Sequence, residues 1–188
     1  MTNISPGLII LITALLLAIG FAAWLYVQKT RTQKLRSQFG QEYDKAVGDS
    51  PSRQRAEAEL QDRMKRVARF QIHPLSAEDS ARYAEAWRVE QSLFVDNPRL
   101  ALNHADGLVQ DVMKRRGYPV TDFEQNAADL SVDHPTVVEH YRIAHEIAVR
   151  DSRTAASTED LRRAMVSYRA LFEDLLGQTV ERHEEVRR

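Results

Sequence analysis

Cysteine is absent from the chain. That removes disulfides, thiolate metal sites and a cysteine nucleophile together, and leaves the redox compartment open. Glycine is scarce, at seven residues, and mostly falls where helices should stop. No glycine-rich phosphate loop follows a strand, no GxxxxGK[ST] motif occurs, and no strand is in place to present one, so a nucleotide has no cradle. The GxSxG elbow of serine hydrolases is missing as well. An excess of one charge sign is also lacking: 26 Lys and Arg stand against 27 Asp and Glu. This is not the basic surplus of a nucleic-acid binder, and no nucleic-acid partner is expected. Alternating apolar and polar residues never persist for a useful length, which excludes a sheet and leaves an all-α fold.

Charge is missing altogether before Lys29. Within that stretch, Gly7 to Val27 reads GLIILITALLLAIGFAAWLYV. As a helix rising 1.5 Å per residue it covers about the 30 Å of a bilayer's hydrocarbon core. Trp24 and Tyr26 stand near one end, where amphipathic rings favour the headgroup layer. A cleaved signal peptide fits less well. MTNISP carries no Lys or Arg, and the apolar run exceeds the roughly 7–15 residues usual for such a peptide. Residues 1–28 are therefore expected to be a single transmembrane anchor whose partner is the lipid bilayer.

Lys29, Arg31, Lys34 and Arg36 follow before the first acidic residue, Glu42. Positive residues stay on the cytoplasmic side, so the N-terminus is expected outside and the following domain in the cytoplasm. These cations lie close to lipid headgroups, and their simplest role is a topology signal. Ala14, Ala18 and Ala22 recur every four residues, a spacing that allows close helix approach and points to weak self-association.

The remainder reads as helix after helix. Residues 29–51 form a basic juxtamembrane helix and linker, interrupted or bent at Gly40 and broken at Gly48–Ser52. Residues 52–177 form the main domain, an irregular, water-soluble helical bundle, and 178–188 a charged tail. Ala56, Leu60, Met64 and Val67 make the first stripe at helical spacing. Ser76, with Asp79 three residues on, caps a helix carrying Tyr83, Trp87, Gln91 and Phe94. Asn97–Pro98 opens the next, striped by Ala101, Ala105, Leu108 and Val112 and stopped at Gly117. Thr121 and Glu124 form a capping-box pattern for a short helix to about Leu130. Val137, Tyr141, Ala144 and Ala148 stripe another, with Asp133 placed to cap it. After a polar loop over Asp151–Ala156, Ser157 caps a final helix carrying Leu161, Met165, Tyr168, Phe172 and Leu175. Such one-sided stripes must bury on one another, and a domain of this length can do so without metal or disulfide.

Chemistry-bearing side chains concentrate in AADLSVDHPTVVEHYRIAHE, residues 127–146. Asp129, Asp133, His134, Glu139, His140 and His145 are its candidates. Carboxylates beside imidazoles suit a divalent metal or acid–base work. The spacing opposes this: His140 and His145 diverge by about 140° around a helix, where a zincin-type pair at i,i+4 shares one face. No metal, cofactor or catalytic residue is assigned. The six residues are instead expected to form an exposed interaction surface, because they exceed what helix caps require.

Three pieces, RSQFGQEYDKAV (36–47), YPVTDFEQNAADLSVDHPTVVEHYRIAHEIAV (118–149) and STEDLRRAMVSYRALFEDLL (157–176), carry a resemblance. They look like an uncharacterised family of short bacterial proteins with an N-terminal hydrophobic segment, ADLSVDHP and YRALFEDLL being the most specific parts. The resemblance implies one bacterial domain on a membrane anchor and brings no activity, cofactor or site residue. The function expected is a membrane-anchored, non-enzymatic interaction or scaffolding protein with a protein partner. The alternatives are a small enzyme or ligand-sensing domain using 129–146, and a structural component of an envelope assembly.

Overall fold

The computed structural model describes residues 6–177, excepting the side chains of 6, 8–14 and 154. Among the described residues the chain is all-helical. The helices are α1 (Pro6–Phe39), α2 (Gln41–Asp49), α3 (Arg53–Val67), α4 (Ala77–Asp96), α5 (Pro98–Arg116), α6 (Phe123–Asp133), α7 (Val138–Thr154) and α8 (Thr158–Leu175). The chain divides into two compact units, one up to Glu57 and one from Ala58 onward, the boundary falling inside α3. The expected tail, 178–188, lies outside the described residues.

In the first unit α1 runs unbroken for 34 residues. It stops where Gly40 adopts φ 52, a left-handed conformation that glycine enters without the Cβ clash other residues meet. The chain resumes as α2, so the interruption or bend expected at Gly40 is a break between two helices. Gly48 lies inside α2, and the break is confined to residues 50–52. Leu35, Phe39, Tyr43, Ala46 and Ala56 are buried. Tyr43 and Thr32 both donate to Glu57 Oε1 at 2.8 Å, tying α1, α2 and the start of α3 together.

The apolar part of α1 behaves differently. Leu15, Leu16, Leu17, Ile19, Phe21, Trp24, Leu25, Tyr26 and Val27 are each between 48% and 70% exposed. Among the described residues no helix is long and apolar enough to cross a membrane. The span expected over 7–27 includes 8–14, whose side chains lie outside the description. Of the small-residue repeat, Ala18 and Ala22 are exposed and Ala14 falls in the undescribed stretch.

In the second unit α8 packs against α5 and α7, and α4 against α5. All five expected stripe residues of α8 are buried. Trp87 stacks on Phe172 with centroids 4.7 Å apart, and Tyr141 meets Tyr168 edge-on at 6.4 Å. Each large side chain so buried contributes about 1.5–3 kcal/mol relative to exposure. The α5 stripe is wider than its four-residue repeat implied, because Leu102, Val109 and Met113 are buried beside Ala101, Ala105 and Val112. Gln91 is exposed.

Local caps explain most boundaries. Ser76 accepts from the Asp79 amide at 3.0 Å, Asn97 from that of Leu100 at 3.2 Å and Ser157 from that of Asp160 at 3.1 Å. Two caps differ from expectation. Asp122, not Thr121, caps α6, accepting from the Gln125 amide at 2.9 Å. Asp133 caps nothing: it is the last residue of α6, and α7 starts five residues later without a side-chain cap. The loop expected from Asp151 is instead the last turn of α7, and the Asp151 carboxylate accepts from the Ala156 amide at 2.7 Å, steering the chain out of the helix.

Gly117 ends α5 at φ 96. The linker from α3 passes so close that a Cβ there would sit 2.2 Å from the Gln71 carbonyl oxygen. His73 donates its amide to the Arg116 carbonyl at 2.9 Å, fixing the same crossing. Gly117→Ala is therefore expected to cost at least about 3 kcal/mol, left-handed strain of roughly 1–2 kcal/mol plus displacement of the linker. Denaturant unfolding of the full-length protein in detergent, followed by Trp87 fluorescence, measures it; Gly107→Ala, with open space around it, serves as control.

Candidate functional site

The α5, α6 and α8 C-termini converge on one polar cluster. Arg116 closes α5, His134 follows α6 and Asp174 lies in the last turn of α8. His134 Nδ1 and Asp174 Oδ2 are hydrogen-bonded. Arg116 Nη1 reaches His134 Nε2 at 3.1 Å and the Leu175 carbonyl at 3.2 Å. A guanidinium has no acceptor, so Nε2 must accept from it, which leaves Nδ1 as the protonated nitrogen donating to Asp174. Beside this triad the Tyr118 hydroxyl donates to Asp133 at 2.8 Å. Burial first, and the Asp133 hydrogen bond second, push the Tyr118 phenol far above its ordinary value.

These groups border a cleft of about 290 Å³, completed by Pro74, Leu75, Thr136 and Leu176. Both ring nitrogens of His134 are occupied, so the imidazole has no free lone pair to take a proton from a substrate in this arrangement. What the cluster can do is bind three helix ends to one another. The Arg116 guanidinium beside the Leu175 carbonyl also places a cation where the α8 macrodipole is negative.

The six sequence candidates do not form one surface. Asp129 is interior, 1% exposed, where its Oδ1 accepts from Arg66 Nε at 2.7 Å and from Gln125 at 2.9 Å. It belongs to a tie between α3 and α6, to which Arg63 adds a contact to Ser131 at 3.4 Å. The exposed surface expected there excludes Asp129 because its side chain is interior, with Oδ1 held by Arg66 and Gln125 and Oδ2 buried without a hydrogen-bond partner. Asp133 and His134 stand at the cleft. Glu139 is exposed and pairs with Arg142 at 3.3 Å. His140 is half-buried, and no bond joins it to the others. His145 stacks on Phe123 with centroids 3.6 Å apart and planes 6° from parallel. Among the described residues no group of three His, Asp or Glu is arranged to hold a metal ion.

Sequence reasoning missed Arg116, Asp174 and Arg66, which complete these clusters. Arg116 had a sufficient local explanation as a basic residue at a helix end. Arg66 reads in sequence as the i,i+4 partner of Asp62, but Asp62 pairs with Lys65 and Arg66 with Asp129, 63 residues away; Asp174 gave no signal, its partner lying 40 residues away.

In the first unit Lys29, Arg31, Lys34 and Arg36 are all exposed along α1. Arg36 pairs with Asp44 at 3.1 Å. Lys29 borders a groove of about 590 Å³ lined by Gln28, Thr32 and Gln33 of α1 and by Arg53, Gln54 and Glu57 of α3. No family model matches the chain, and comparison with curated proteins and with solved structures finds no similar protein.

Two outcomes follow from this geometry. A double-mutant cycle with His134→Ala and Asp174→Ala, read by denaturant unfolding, is expected to give a coupling energy of roughly 0.5–3 kcal/mol; additive losses would mean that the two side chains do not act together. Alkali should also weaken the bundle. Burial raises the Tyr141 phenol to about 12. A folded value above the unfolded one, near 10, gives stability that is complete below pH 10 and lost as pH rises toward 12. Unfolding free energy is therefore expected to fall through that window, and Tyr141→Phe to make the fall shallower.

Proposed function

We propose that the protein is a membrane-anchored, non-enzymatic interaction module: α1 inserts its apolar segment into the bilayer and the helical domain faces the cytoplasm, where it meets a protein partner. The observation carrying this reading is the ring of exposed apolar side chains from Leu15 to Val27. They face all sides of one helix, which no single packing partner could cover, whereas lipid covers all sides equally. The uncharged run from Gly7 to Val27 has the length of a bilayer core, and the exposed cations that follow it favour the cytoplasmic side. Tethering raises the effective concentration of the domain toward a partner in the same membrane, so a modest interface suffices. The occupied nitrogens of His134 and the buried, paired Asp129 support interaction over catalysis. The cleft beside His134 favours a second reading, a ligand-sensing domain.

The protein is expected to remain in the membrane pellet through alkaline carbonate extraction, and a variant lacking residues 1–27 to be released. Alkaline phosphatase fused after Arg188 should be inactive in bacterial cells. Crosslinking in native membranes should capture a partner with the full-length chain and lose it with the truncated one. Release of the full-length chain by carbonate overturns the anchor; phosphatase activity reverses the orientation.

A further inference from the structure

We infer that the groove between α1 and the first turns of α3 holds the phosphate of an anionic phospholipid headgroup, an inference that rests on the membrane-anchor reading. Gln28, Lys29, Thr32 and Gln33 fall at the spacing of one helix face, and Arg53, Gln54 and Glu57 do the same on α3. The two faces enclose about 590 Å³, room for a headgroup. Lys29 and Arg53 are exposed, and among the described residues neither takes part in an ion pair. Glu57 is already engaged: Thr32 and Tyr43 both donate to its Oε1 at 2.8 Å. The groove therefore offers two cations and the amide donors of Gln28, Gln33 and Gln54 against one carboxylate that is already hydrogen-bonded. That donor set suits a phosphate monoanion.

Height along α1 selects a lipid as the source of that phosphate. Lys29 and Gln33 lie about 3 and 9 Å beyond Val27 at the helical rise. The headgroup layer adds roughly 5–8 Å to each side of the hydrocarbon core, so the groove mouth and the headgroups share one level. Direction around α1 agrees. Trp24 precedes Gln28 by four residues and shares its face, so the acyl chains of a lipid seated in the groove would run down across the exposed Trp24 ring.

The test uses the full-length protein carrying Trp87→Phe, which leaves Trp24 as its single tryptophan. It is reconstituted in vesicles of phosphatidylcholine and phosphatidylglycerol in which one or the other lipid carries brominated acyl chains. Quenching of Trp24 is expected to report a relative binding constant favouring phosphatidylglycerol by about fivefold or more, the contribution of one basic residue near an anionic surface. Lys29→Gln with Arg53→Gln should abolish that preference, while Arg31→Gln with Lys34→Gln, outside the groove, should leave most of it. Equal quenching by the two lipids overturns the inference and leaves the anchor standing. An equal loss in both variant pairs also overturns it, because the attraction then belongs to the charge of the whole segment. No quenching by either lipid removes the anchor reading itself, and the inference with it.

Discussion

The second unit depends on burial of the α8 stripe. Each helix in this unit is apolar along one side, and none can hide that side alone. Leu161, Met165, Tyr168, Phe172 and Leu175 supply the shared surface on which α5 and α7 close, with α4 reaching it through Trp87 and Phe172. Without α8 the Trp87 and Tyr141 side chains would lose the Phe172 and Tyr168 rings they pack on, and the loss of several such burials is comparable to the net stability of an ordinary domain. The polar ties are placed around this core. The Tyr168 hydroxyl donates to Asp106 at 2.8 Å, so the buried phenol of α8 is satisfied from α5.

Around that apolar floor, arginine sets how the helix ends meet. Arg116 joins α5 to the exits of α6 and α8, and Arg66 joins α3 to α6 through the interior Asp129. The planar head of Arg116 reaches two acceptors, and both the Nε and Nη2 of Arg66 converge on Asp129 Oδ1. Asp–His contacts of this kind are shared by reaction centres and by structural joints. Here the guanidinium on the second ring nitrogen holds the imidazole between the ends of α5 and α8.

Much of the fold was legible because its signals are local. Ser76, Asn97, Ser157 and Gly117 each act within four residues of themselves, and the α8 stripe repeats every three or four residues. Asp133 is the instructive failure. Its identity and position suited a helix cap, but the Tyr118 hydroxyl from another segment competes for its oxygens. Asp129 failed for the same reason, since nothing around it in sequence announces Arg66. The candidate site was therefore half legible: the acidic and histidine members stood out as a cluster, and the basic members that set their roles lay far along the chain. The apolarity of Gly7 to Val27 was readable from composition alone, but the span expected from it has no counterpart among the described residues, where no helix is long and apolar enough to cross a membrane.

The continuity of α1 has a mechanical meaning. From Pro6 to Phe39 no proline, glycine turn or bulge interrupts the hydrogen-bond ladder, and backbone freedom returns at Gly40. A helix of this kind is stiff in both bending and twist. Any tilt or axial rotation of its apolar segment is carried past Lys29 and delivered to α2 and the start of α3, which Thr32 and Tyr43 tie to it through Glu57. The segment and the cationic stretch turn together as one shaft.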